Sequence, residues 1–154
     1  MTIMTRDTGK NSEAAVRAAL HSIDVDTFDW QRMYDATSAR GAFMAQVGDF
    51  QFFLPGVHGV IEVKSTAHEY RLTKGAFSDG QRAKLTKRAA AGGHVWVIVH
   101  HHTVDQWRVL KYEDVRREFD DLGRASLDLR QTPTYSSAVE CVSIILIESL
   151  ENGK

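Results

Sequence analysis

The sequence predicts an α/β domain in which helices pack on a central sheet. Three observations carry this. Apolar residues recur at helical spacing near both ends of the chain, strand-like runs lie between them, and one polar helix separates those runs into two groups.

The elements follow in order. Residues 1–10 are polar and aperiodic and are expected to form a flexible tail, leaving 11–154 as a single domain. Asn11 or Ser12 can cap a first helix whose apolar positions are Ala15, Val16, Ala19, Leu20 and Ile23. Glu13 falls in its first turn, where the helix dipole favours a carboxylate. Residues 28–46, around "YDATSARG", read as a short strand followed by a loop. Asp49–Leu54 and Gly59–Ser65 form an antiparallel hairpin about a Pro55-Gly56 turn. A helix is predicted from about Ser78 to Ala91, stopped by Gly92-Gly93. "HVWVIVHH" is nearly all apolar and suits a central strand covered on both faces. "QWRVLKY" alternates and is its partner through Thr103-Val104-Asp105, and "EDVRREFDDL" is a short helix. Beyond Pro133, Val139, Val142, Ile145, Leu146 and Leu150 keep helical spacing after a Ser136 or Ser137 cap, with a strand over 142–147 as the competing assignment.

Bulk properties narrow the function class. The chain has 154 residues, enough for one domain with a sizeable core, and 25% charged residues. Its single cysteine, Cys141, excludes an internal disulfide framework and fits a reducing, cytoplasmic setting. No window reaches the length of a signal-peptide core or a membrane span, so neither export nor a membrane partner is expected. A net charge of −1 argues against coating nucleic acid by bulk attraction. Charge is nevertheless unevenly placed. From Lys64 to Arg88 seven basic residues face two acids, a local balance of +5. That segment is either a phosphate-binding face or a solvated helix surface.

The chemistry concentrates in "GDFQFFLPGVHGVIEVKST", residues 48–66. Strand side chains alternate, so Glu62 and Lys64 share one face while Ile61, Val63 and Ser65 share the other. Two accounts are open on spacing alone. In one, Glu62 and Lys64 are an ion pair on the solvent side of an edge strand. In the other, Asp49 on the neighbouring strand lies beside Glu62, and a cation relieves their repulsion. Hard oxygen ligands from the two acids, a main-chain carbonyl and water would suit Mg²⁺ or Mn²⁺.

Other signals are bland. His100, His101 and His102 cannot converge on one ion from successive strand positions, and read as the polar end of a buried strand. Gly9-Lys10 lacks the preceding glycine and strand of a P-loop. Trp30, Trp96 and Trp107 read as core or interface residues, and Cys141 has no nearby histidine to activate it.

Taken in order, "GD…GVIEVKST…EYRL…F…QRAKL…AGGHVWVIVHH" resembles the PD-(D/E)xK nuclease superfamily, and within it the RecU-like and phage-encoded Holliday junction resolvases. The resemblance covers about residues 11–110, with Gly48 standing where the superfamily's name has proline. It implies a restriction-endonuclease-like fold, a mixed central sheet flanked by helices. It further implies a structure-specific DNA endonuclease that cleaves phosphodiesters with a Mg²⁺-activated water, Mn²⁺ substituting. The family's acid, Asp, E-x-K and Gln positions match Glu13, Asp49, Glu62, Lys64 and Gln81. Asp49, Glu62 and the Val63 carbonyl would hold the metal, with Glu13 as a further ligand or acting through water. Lys64 would orient the attacking water, and Gln81 would support the site or contact phosphate. DNA would be its partner, most naturally a branched junction cut twice by a homodimer. The basic segment then offers Arg71, Lys74, Arg82 and Lys84 as phosphate contacts. The apolar stripe of the last helix, Val139, Val142, Ile145 and Leu146, serves equally as dimer interface or internal packing. A repair or restriction-type endonuclease, or a non-catalytic DNA-binding module, are the alternatives.

Overall fold

The two strands that the sequence places on either side of a polar helix turn out to be parallel neighbours at the centre of the sheet. The computed structural model describes residues 8–33, 36–37, 43–44 and 47–152. Helix α1 (Thr8–His21) is followed by β1 (Asp29–Arg32), two short strands β2 (Ala36–Thr37) and β3 (Phe43–Met44), and the hairpin β4 (Phe50–Leu54) and β5 (Val57–Thr66). Then come β6 (Arg71–Thr73), helix α2 (Asp79–Ala90), β7 (His94–His101), β8 (Gln106–Lys111), α3 (Tyr112–Arg116), β9 (Ser126–Asp128) and α4 (Ala138–Asn152). Five strands form the main sheet in the order β1-β4-β5-β7-β8. Only β5 and β7 run parallel, so the sheet is mixed, as expected.

The alternation of β5 divides two cores. Ile61 and Val63 enter a cluster with Val16, Leu20 and Phe50, and with Val142 and Ile145 of α4. Val60 enters the other, with Leu85 of α2, Tyr112 and Val115 of α3, and Phe119. α1 and α4 thus cover one face, α2 and α3 the other. β7 carries residues into both clusters, Ile98 on one side and Val97 on the other, which explains its uninterrupted apolar run.

Several expectations change. Because β5 lies between β4 and β7, the edge-strand account of Glu62 and Lys64 fails. α1 begins by Thr8, and Ser12 is an interior helical residue rather than a cap. Its hydroxyl donates to the Thr8 carbonyl at 2.9 Å and lies 2.8 Å from His100 Nδ1. Ile23 falls beyond the helix but still packs on the core. Of residues 1–10 expected as a tail, Thr8–Lys10 instead open α1, while 1–7, and 34–35 and 38–41 of "YDATSARG", lie outside the described residues. β6 pairs with β9 in a small second sheet that short, aperiodic strands did not reveal. The short helix after β8 continues from α3 into a π-helical turn over Arg117–Asp121. Finally, the last segment is a helix, not a strand. Val142, Ile145 and Leu146 are buried within the chain, so their packing is internal, while Val139 is 53% exposed.

His100 and His101 leave β7 on opposite faces, as alternation requires. His100 stacks on Trp107 with ring centroids 3.9 Å apart, while His101 is fully buried beside Arg108. Trp96 and Trp107 are core residues, and burial pushes the Cys141 thiol up to about 12, which removes it as a nucleophile. Among the described residues no helix is long and apolar enough to cross a membrane.

The β4–β5 register sets Phe52 directly opposite Gly59, and a Cβ at Gly59 would lie 1.9 Å from the Phe52 ring. Phe52 is fully buried and cannot swing away. Gly59→Ala is therefore expected to destabilise the chain by about 1–3 kcal/mol in urea unfolding. The penalty should shrink in a Phe52→Leu background, and an equal penalty in both backgrounds would refute this packing.

Candidate active site

β4 begins at Phe50, opposite Ile61, whereas β5 runs on to Thr66. Beyond Ile61 the β4-facing side of β5 therefore has no strand beside it, and Asp49 fills the first step. Its N–H donates to the Ile61 carbonyl at 2.9 Å, and its Oδ2 accepts the Val63 N–H at 2.7 Å. The N–H and C=O of one strand residue point to the same side, so the Val63 carbonyl also faces Asp49.

Gly48 makes this turn possible. Its φ is +77°, and a Cβ there would meet Val60 Cγ1 at 2.4 Å. Proline, fixed near φ of about −65°, cannot take that conformation, so the departure from the superfamily's name follows from the backbone here.

Glu62 points from β5 toward the α2 layer, only 2% exposed. Lys64 follows on the same face. Its Nζ lies 3.2 Å from Glu62 Oε1 and donates to Gln81 Oε1 at 3.0 Å. Gln81 is held in the first turn of α2, where its N–H donates to the Ser78 cap hydroxyl. Glu13 reaches the same place from α1. Its carboxylate is within the field of Asp49 and pairs with Arg32 of β1 at 3.6 Å. The structure thus brings Glu13, Asp49, Glu62, Lys64 and Gln81 together at one strand end. Arg32 was not foreseen, because its place beside Glu13 depends on β1 pairing with β4, which no local pattern encodes.

Charge at this end is unbalanced, with three carboxylates against two cations. Burial, then the charge of Glu62, push Asp49 up to about 7, although the Val63 N–H pulls the other way. Burial, then Asp49, push Glu13 to about 7, opposed by Arg32 and Lys64. Burial also raises Glu62, opposed chiefly by Lys64. Among the described residues no donor reaches Glu62 Oε2, a buried carboxylate oxygen. A buried acceptor of this kind beside a second carboxylate asks for a proton or a cation.

The donor set fits a hard divalent ion. Among the described residues no three His, Cys, Asp or Glu side chains form a ligand cluster. What the site offers is two carboxylates, Asp49 and Glu62, with the Val63 carbonyl and solvent, a combination typical of Mg²⁺. Glu13, already shared with Arg32, stands behind that set.

The basic candidates are dispersed around the site. Arg71 lies on β6 and donates to Ser126 Oγ at 3.3 Å. Lys74 opens a 3₁₀ turn between β6 and α2, and Lys84 lies one helical turn beyond Gln81. Arg82 directs its terminal nitrogens to Asp79 and Asp120, each at 2.8 Å, so a phosphate contact there must displace a carboxylate.

Fold and site together define an α/β chain with a buried, acid-rich cluster at the open end of a central strand. No family model matches the chain, and no curated protein matches it. Among solved structures it is similar to Hjc, a Holliday junction resolvase from the archaeal hyperthermophile Archaeoglobus fulgidus. The identity is 18% and the TM-score 0.46, over 68% of this chain and 73% of that one.

The raised carboxyls give a pH dependence of definite sign. Without metal, Glu13 and Asp49 hold more protons in the folded chain than in the unfolded one between the free carboxyl range near 4 and about 7, opposed by His58 and His101, whose proton affinity burial lowers. Stability should therefore fall as pH rises through that window. The metal-free melting temperature is expected to be several degrees higher at about pH 5 than at about pH 8. Mn²⁺ or Mg²⁺ should act oppositely, raising the melting temperature at about pH 8 and little at about pH 5, because its ligands must be deprotonated. Asp49→Asn should flatten both dependences in a thermal-shift series. Unchanged slopes would overturn this account of the cluster.

Proposed function

We propose that the chain is a Mg²⁺-dependent DNA endonuclease with the PD-(D/E)xK arrangement, acting on branched, four-way DNA. The observation that carries the reading is the acid excess at the open end of β5, where Glu62 keeps an unpartnered buried oxygen beside Asp49. A protein that only held phosphate would place cations there.

Asp49, Glu62 and the Val63 carbonyl would hold the ion. When bound, Mg²⁺ supplies charge stabilisation at the scissile phosphate and a water acidified for attack. Lys64, fixed between Glu62 and Gln81, donates to the attacking water and favours its deprotonated form. Glu13 titrates near 7 and faces Asp49 from α1, which suits it to take the released proton through a bridging water. Arg71, Lys74 and Lys84 lie on the segments that follow β5 and supply phosphate contacts on the approach. Two copies are required for the paired cuts of a symmetric junction. With Val142, Ile145 and Leu146 committed to the core, the exposed Val139, Ile147 and Leu150 are the apolar residues of α4 left for a second copy.

Two measurements test this reading. Asp49→Asn is expected to lower cleavage by on the order of a hundred- to a thousandfold while DNA binding stays equal or tightens, since a negative charge leaves the phosphate site. Normal cleavage by that variant would exclude the metal-site mechanism. Cleavage of four-way junction, duplex and single-stranded DNA is then compared, and a strong preference for the junction is expected. Equal cutting of all three would leave a nuclease of the same superfamily but not a resolvase, and no cutting of any would favour a binding module.

A further inference from the structure

The sequence gives Phe77 no role beyond an apolar residue before a helix cap, yet its ring faces the Lys64 ammonium. Lys64 Nζ lies 4.7 Å from the Phe77 ring centroid, with Glu62 Oε1 at 3.2 Å and Gln81 Oε1 at 3.0 Å. We propose that Phe77 is a positioning residue for Lys64, its ring face forming the third wall of a cradle completed by Glu62 and Gln81. The catalytic consequence rests on the nuclease reading above, whereas the cradle rests on geometry alone.

Lysine is a flexible side chain that loses much rotamer freedom when fixed, so a single ion pair holds it loosely. Here the Lys64 side chain is 14% exposed, which leaves little water to take the place of a lost contact. An aromatic face attracts an ammonium through its quadrupole, and more strongly when water is excluded. It also differs from a further carboxylate in a useful way. It adds no negative charge to a site already rich in acids, and it offers no oxygen to compete for the metal.

The ring is itself fixed. Phe77 is 3% exposed, and its N–H donates to the Lys74 carbonyl at 3.1 Å, which sets the backbone entering the Ser78 cap. Phe119 approaches the ring edge-on, with centroids 6.1 Å apart at 64°. Phe119 belongs to the π-helical turn after α3 and is 1% exposed. An edge-to-face neighbour of this kind restrains ring rotation. A segment remote in sequence from the E-x-K strand therefore completes the surroundings of its lysine.

The test compares Phe77→Leu, which keeps apolar bulk but removes the π face, with site-specific trifluorophenylalanine at position 77, which keeps the ring and weakens its quadrupole. With a four-way DNA junction and Mg²⁺, Phe77→Leu is expected to lower kcat about tenfold with KM for DNA little changed. The fluorinated ring should give an intermediate loss, and it decides the matter if Phe77→Leu does not fold by thermal unfolding. A folded Phe77→Leu and a fluorinated variant that both keep the parent kcat would overturn the proposal while leaving the nuclease reading intact. An independent readout is the proton NMR signal of the Lys64 ε-methylene in the metal-free chain. Ring current should move it upfield in the parent, and that shift should vanish in Phe77→Leu. If the parent cleaves no DNA, the nuclease reading falls and this signal alone decides. An upfield shift lost on substitution then supports the cradle, and an unchanged signal refutes it.

Discussion

Two carboxylates forced against each other at the end of a strand pair are the constraint on which the rest of this structure depends. β4 stops where Asp49 begins, and β5 continues alone on that side, so the ladder that would bury Val63's polar groups is missing. Asp49 replaces part of it with its own side chain by accepting the Val63 N–H. That hydrogen bond fixes the carboxylate beside Glu62; burial raises the proton affinity of both, and the charge of Glu62 raises that of Asp49 further. The left-handed Gly48, the Lys64–Glu62 pair and the capped position of Gln81 all serve that arrangement or compensate for it.

The two cores divide the work of positioning. The cluster under α1 and α4 holds Val16 and Leu20, one and two turns beyond Glu13 on the same side of α1, and so sets how far Glu13 reaches. The cluster under α2 and α3 holds Leu85 and Phe77, which sets the angle at which Gln81 meets Lys64. Side chains carried by secondary-structure elements packed on both sides are more precisely placed than side chains on loops. This site draws on both layers of the domain because the strand between them, β5, carries its charged residues at its open end.

Much of this was legible in the residues. The hairpin around Pro55-Gly56, the shared face of Glu62 and Lys64, and the Ser78-capped helix are local patterns, and periodicity or turn chemistry reveals them. What was hidden is non-local. Whether β5 is an edge or a central strand depends on its pairing with β7 across an intervening helix, and that pairing decides whether Glu62 is solvated or buried. Ser12 has the chemistry of a cap, but α1 begins by Thr8, and the Ser12 hydroxyl turns back to the Thr8 carbonyl and toward His100, far along the chain. Arg32 and Phe77 join the site through β1–β4 pairing and through the β6–α2 connection, which a single sequence does not state. The three-residue strands β6 and β9 are too short for any period to appear.

The energetics separate a metal site from an ordinary buried ion pair. Lys64 and Glu62 alone would make a compensated pair, and Glu13 with Arg32 a second, more exposed one. Asp49 accepts the Val63 N–H and lies in the field of the carboxylates of Glu62 and Glu13. If the fold required only a capped strand end, an asparagine would accept the same N–H and bring no charge. Burying the charged form of Asp49 instead disfavours folding at neutral pH, and burial of a charge is retained where the charge has a use. Placed against the unpartnered oxygen of Glu62, that use, on the nuclease reading proposed above, is to bind positive charge arriving from outside the chain. On that reading a divalent ion would reverse the sign of the cluster and let a phosphate sit beside it.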